Sequence, residues 1–169
     1  VEFFFLVGPF SYLCLPLKIH PSDHYYLLSP ALVFLTLLPE FFSPRYAAHQ
    51  MFVMNKYWEK FFYFFTWLWQ GSSYLSPRAY AILHRMHHAY SDTPQDPHSP
   101  HHTENLFSMM WKTKNIYNDY FSFKLKPEDR FSKGIPDWNK FDRFADSMLV
   151  RLAWGIFYVA IYVLCISYF

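Results

Sequence analysis

The sequence predicts an all-α fold in which multi-span membrane helices are joined to a cytoplasmic helical domain carrying clustered histidines. Three observations lead there. Apolar runs at residues 2–19, 25–42 and 152–169 flank a charged middle, and each is near the ~20 residues that a helix needs to cross the hydrocarbon core. Aromatic residues make up 24% of the chain, with 20 Phe and 14 Tyr, more than the core of a soluble domain this long requires. The overall hydropathy is nevertheless near neutral, so the apolar excess is segregated. Finally, His84, His87 and His88 stand at i, i+3 and i+4, which on a helix places three imidazoles in one narrow wedge of surface.

Residues 2–19 are apolar apart from Glu2 and Lys18 at the ends, and predict a first span kinked at Pro9. His20 to His24, reading HPSDH, is a tight polar turn; Pro21 between the two histidines argues against a helical ligand pair. The turn sends residues 25–42 back as a second, antiparallel span. Glu40 lies one turn from its end, where a carboxylate reaches water. Ser43 to Phe52 reads SPRYAAHQMF, and Pro44 is expected to push Ser43 out of the helical region. Residues 56–76 follow. The uncharged part, Phe61 to Ser76, is short for a span and rich in Trp and Tyr, so it predicts a helix lying along the membrane surface.

The His84 cluster announces a metal site without naming the metal, because neutral imidazole suits iron, zinc, copper and nickel alike. It leads into a loop with Pro94, Pro97 and Pro100. His98, His101 and His102 repeat the spacing, but Pro100 within it and Pro97 before it keep these rings off one helical face. Asp96 and His98 are better suited to holding ligand rings in place, since a ligating His donates its other N–H to a carboxylate or carbonyl. Asn105 to Asp146 is polar and of mixed charge, and predicts short helices over the metal site within a metal-binding region spanning 43–148.

Residues 152–169 predict a third span. All of the 15 Lys and Arg except Lys18 and Arg151 lie between Arg45 and Arg143, while the 20–24 turn has none. By the positive-inside rule the histidine region is cytoplasmic. A net charge of +2 with no basic cluster argues against nucleic acid as a partner. Cys14 and Cys165 both sit in apolar runs, and no disulfide or zinc framework follows from them. The chain opens without Met and stops in an apolar run, as a fragment truncated at both ends would.

Taken together, His84, Arg85, His87, His88, Ser91, Asp92, Thr93, Asp96, Pro97 and His98 resemble the second histidine box of the membrane fatty acid desaturases, HRxHHxxSDTxxDPH, especially bacterial relatives of the acyl-CoA desaturases. The resemblance implies a non-haem di-iron centre that uses O2 to introduce a double bond into an acyl chain. It further implies an acyl lipid substrate, a separate electron donor such as a small cytochrome or ferredoxin, and residence in a bilayer, the inner membrane if the protein is bacterial. It makes His49, His84, His87 and His88 the expected metal ligands, with His49, followed by Gln50 and Met51, in the second place of the first box. A surface helix at 56–76 keeps His49 on the same side of the bilayer as the His84 cluster. The pattern departs from the family at Pro44, which stands where the first box expects its other His and has no nitrogen to offer. The third box is expected beyond Phe169, so this polypeptide alone is expected to be inactive. Residues 79–83, AYAIL, replace the Trp and charged pair of many acyl-CoA desaturases and leave the acyl carrier open. Two rival readings are a membrane hydroxylase of the same histidine-box kind and a non-catalytic relative holding at most one metal.

Overall fold

A computed structural model of the chain describes residues 41–100, 103 and 105–167. The first expected span, nearly all of the second, and His101 and His102 lie outside the described residues. Among the described residues every regular element is a helix and there is no strand, so the chain is all-α. A π-helix, Phe41–Ala48, is followed by α1 (Lys56–Gln70), a 3-10 turn (Gly71–Ser73), α2 (Pro77–Tyr90), α3 (Leu106–Phe121), α4 (Asp129–Ser132), α5 (Asn139–Ala145) and α6 (Met148–Ser167). The described elements fall into two compact units. One contains Lys56–Leu75 and the chain from Trp138 onward; the other contains Phe42–Asn55 and Ser76–Asp137.

Within the first unit, α1, α5 and α6 bury several polar groups and expose several apolar ones. In α1 the buried residues are Glu59, Tyr63 and Thr66, spaced i, i+4 and i+7 on one face. Trp58, Phe61, Phe64 and Leu68 are exposed. At the centre lies the carboxylate of Asp142, 2% exposed, which accepts from Tyr63 Oη at 2.9 Å and from Tyr74 Oη at 2.6 Å. In α6, Leu149, Leu152, Ile156, Val159 and Val163 form an exposed stripe at the i, i+3, i+7 spacing of one helix face. Such an inversion is unusual for a surface bathed in water.

α1 does not run to 76 as the sequence predicts. It stops at Gln70, where Gly71 takes φ +57 and the chain enters the 3-10 turn. A Cβ on Gly71 would lie 1.7 Å from Tyr158 Oη, so both the backbone conformation and the close approach of α6 require glycine. Arg151 of α6 closes the junction by donating to Ser72 O at 2.5 Å and Tyr74 O at 3.2 Å, and it pairs with Asp146. The third expected span corresponds to α6, which starts at Met148 instead of 152. Among the described residues no single helix is long and apolar enough to cross a membrane; Asn139–Ala145 and Met148–Leu164, bent by 51°, pass together by length and composition.

The second unit packs α2 against the π-helix, α3 and α4. Pro44 does not break the helical path as expected. It is the fourth residue of the π-helix, in the opening turn, where a backbone nitrogen has no intrahelical acceptor to lose. The helix closes with His49 N donating to Pro44 O at 2.9 Å. Ala47, Ala48 and Ala81 are essentially fully buried against one another, so the π-helix and α2 approach closely. Ile82, Leu83 and Tyr120 form the contact of α2 with α3, flanked by Met86, Ile116 and Tyr117. Arg78 fastens the same contact by donating to Tyr120 O at 2.7 Å and Phe121 O at 3.2 Å, carbonyls that the end of α3 leaves without intrahelical donors.

Candidate metal centre

α2 begins where its sequence says a helix should: Ser76 is the N-cap, its side chain accepting from Ala79 N, and Pro77 occupies the first turn. It ends at Tyr90, and Asp92 takes φ +60 as the chain turns away. His84 and His88, four residues apart, therefore lie on one face a turn apart, with Nε2 atoms separated by 3.1 Å. The third ring comes from outside the helix. His49, just past the π-helix, brings its Nε2 within 3.0 Å of His84 Nε2. The three ligand nitrogens lie within 4.8 Å of one another.

Protons alone do not satisfy this arrangement. His84 Nε2 has either one N–H or one lone pair, yet two imidazole nitrogens approach it at 3.0 and 3.1 Å. A single cation accepts all three lone pairs. Nitrogens each about 2.1 Å from a shared metal lie roughly 3.0 Å apart at right angles and roughly 3.4 Å apart in a tetrahedron. Burial, followed by the neighbouring His88, His49 and His87, lowers the pKa of His84 from 6.5 to about 4, so at neutral pH the ring is uncharged, the form that binds metals. Tyr80 stacks on the His84 ring at 5.4 Å between centroids, with its hydroxyl 3.5 Å from Nδ1.

His87 does not join this group, although the sequence places it with the other two. Successive helix residues are about 100° apart, so His87 and His88 diverge and only the i, i+4 pair points one way. His87 Nδ1 instead lies 2.9 and 3.0 Å from the two carboxylate oxygens of Asp96. Asp96 is fully buried and also accepts from the backbone N–H of His98 at 2.8 Å and of Asp92 at 3.1 Å. Burial pushes its pKa up, but the bonds from His87, His98 and Asp92 outweigh that cost and hold the carboxyl below its ordinary value. With Asp96 ionised, Nδ1 of His87 is the donor in this pair.

His98 has two contacts. Its backbone supports Asp96, and its ring nitrogen Nδ1 lies 3.1 Å from Thr113 Oγ1, with the ring centroid 6.3 Å from that of His87. Burial first, then electrostatic interaction with the neighbouring His87, lowers its pKa against the opposing effect of Asp96. Lys112 of α3 donates to the carbonyl of Asp96 at 3.0 Å, and Thr113 to that of Pro97 at 2.8 Å, so α3 clamps the loop that carries the carboxylate. The sequence offers no local signal for Thr113 or Lys112. Arg85 is part of the motif, yet its partners are all distant: it donates to the carbonyls of Ala47, Ala48, Phe131 and Lys133.

Comparison with protein-family models, with curated proteins and with solved structures returned no match for this chain.

Proposed function

We propose that this chain is the metal-binding part of a membrane protein whose histidines hold iron and which oxidises an acyl chain to an unsaturated one, and that the four histidines carried here do not support turnover alone. The observation that carries the reading is the convergence of the His49, His84 and His88 nitrogens on His84 Nε2, at spacings that protons cannot satisfy and a shared cation can. The motif HRMHHAYSDTPQDPH, with its resemblance to the desaturases, favours iron over the other metals that imidazoles accept. The outward apolar faces of α1 and α6 favour a lipid setting, and with it an acyl lipid as substrate. When bound, iron would supply the oxidising power toward dioxygen and an unactivated methylene that protein side chains lack, with electrons from a small cytochrome or ferredoxin.

The part played by this chain is positional. His49, His84 and His88 would hold the metal, His84 being kept neutral by its surroundings and oriented by Tyr80. Asp96 engages Nδ1 of His87 and would leave the other nitrogen of that ring to serve as a fourth ligand. The charge distribution favours the cytoplasmic side for this region.

A second reading draws on Pro44, which stands within the π-helix and offers no ligand atom, and on the fact that one three-histidine group is present among the described residues. On that reading the chain holds at most one metal and does not turn over. Metal analysis of the purified chain decides between them. Two irons per chain support the oxidase, whereas none or a single zinc supports the non-catalytic relative. Lipid analysis of cells expressing the protein then separates unsaturated from hydroxylated acyl products.

A further inference from the structure

His49 is exposed, and its ring contacts His84 and His88, so its place in the trio is set by its backbone. Two neighbours hold that backbone. Arg85, the residue after His84, donates Nε to Ala48 O and Nη2 to Ala47 O at 3.3 Å, gripping the two peptides that precede His49. Its Nη1 reaches the other way, to Lys133 O at 2.8 Å and Phe131 O at 3.2 Å. Gln50, the residue after His49, adopts φ +51 and donates Nε2 to the same Lys133 oxygen at 3.1 Å. Gly134 makes room for this amide: a Cβ there would lie 1.9 Å from Gln50 Nε2, and φ is +72.

Among the described residues none of the Arg85 partners is a carboxylate. The guanidinium is used as a rigid fork of N–H donors spanning two backbone segments, a geometry that the point charge of lysine cannot reproduce. We infer that Arg85, together with Gln50, is a positioning residue for His49, tying the end of the π-helix and the Phe131–Lys133 backbone to α2 so that the third imidazole meets the other two. The inference rests on the metal reading for its purpose, but its geometry can be tested without metal.

The experiment uses the whole chain in lipid discs, with Co(II) as probe and NMR of the metal-free protein as a second readout. Arg85→Lys is expected to weaken Co(II) binding by about 10- to 100-fold. In a His49→Ala background the same change is expected to have no further effect, because Arg85 acts through His49. In the metal-free protein, ring-proton contacts between His49 and His84, whose centroids are 4.9 Å apart, should be lost in Arg85→Lys. They should survive Arg78→Lys, which removes carbonyl bonds elsewhere in the same unit. Gln50→Asn, which tolerates positive φ but is too short to reach Lys133, should cause a smaller loss in the same direction. Ring contacts that persist in Arg85→Lys, or equal losses of affinity with and without His49, overturn the inference. A wild-type chain that binds no Co(II), yet loses its ring contacts as expected, overturns the metal reading and leaves the positioning role standing.

Discussion

At the scale of single residues, His84 is the shared neighbour: both other nitrogens approach its Nε2, whereas His87 is engaged with Asp96. The two histidines should therefore differ on substitution. His84→Ala is expected to abolish metal retention, while His87→Ala leaves the His49, His84 and His88 group in place and should weaken retention by about 10- to 100-fold. Metal content after dialysis against a weak chelator measures both, and equal effects would mean that His87 shares the metal on the same terms. The pH dependence follows from His84 as well. With a folded-state pKa of about 4 against an ordinary 6.5, the ring binds fewer protons folded than unfolded between those values. Its contribution to stability is present above pH 6.5 and is lost as pH falls toward 4. Asp96, held below its ordinary value, adds a further loss at more acid pH. Urea midpoints of the metal-free chain between pH 7 and 4 should fall with pH, and His84→Gln should flatten that slope.

Among elements, two junctions rest on small residues. Ala47, Ala48 and Ala81 let the π-helix approach α2. Ala81→Leu should overpack this contact, costing about 1–3 kcal/mol and weakening metal binding in the same variant, since it displaces the backbone that carries His49. Denaturation and Co(II) titration on one preparation check the two effects, and a loss of stability with unchanged affinity would uncouple the helix contact from the site. At the other junction, Gly71 faces Tyr158 of α6. Gly71→Ala combines positive φ with a clash and should destabilise by more than about 1 kcal/mol. Part of that loss should be recovered in a Tyr158→Phe background, where the hydroxyl that meets the new Cβ is gone; a penalty unchanged by Tyr158→Phe would assign it to the backbone alone.

For the molecule as a whole, the described helices α1, α5 and α6 bury Asp142, Tyr63 and Thr66 while α1 and α6 expose a run of apolar residues. A bilayer removes the cost of such a surface, because hydrocarbon solvates it as well as a protein core does. Val159 is exposed in the middle of α6. Val159→Arg should disfavour membrane insertion by about 3 kcal/mol, read as the inserted fraction in a microsomal assay. An unchanged inserted fraction would mean that α6 does not cross.

Some of this was local enough to be legible. The helical class follows from long apolar runs and from histidine spacing, and the i, i+4 pairing of His84 with His88 needs nothing beyond helix geometry. A carboxylate within the loop after the cluster, Asp96, was a natural partner for a ring nitrogen. What required tertiary structure was the membership of the trio. Periodicity groups His87 with its neighbours, but the turn after Tyr90 folds Asp96 back onto the Nδ1 of that ring. His49, which the resemblance places among the ligands, is held beside them through contacts that span 37 residues to Ala48 and 48 residues to Lys133 from Arg85, a reach that no local pattern encodes. Pro44 was legible as a missing ligand, yet its place in the opening turn of the π-helix depended on where that helix begins. Sequence alone determined which side chains were available and how neighbours on one helix would point; only the packing of distant backbone segments decided which nitrogens meet, because that choice is made by close approach and shared carbonyls instead of by spacing.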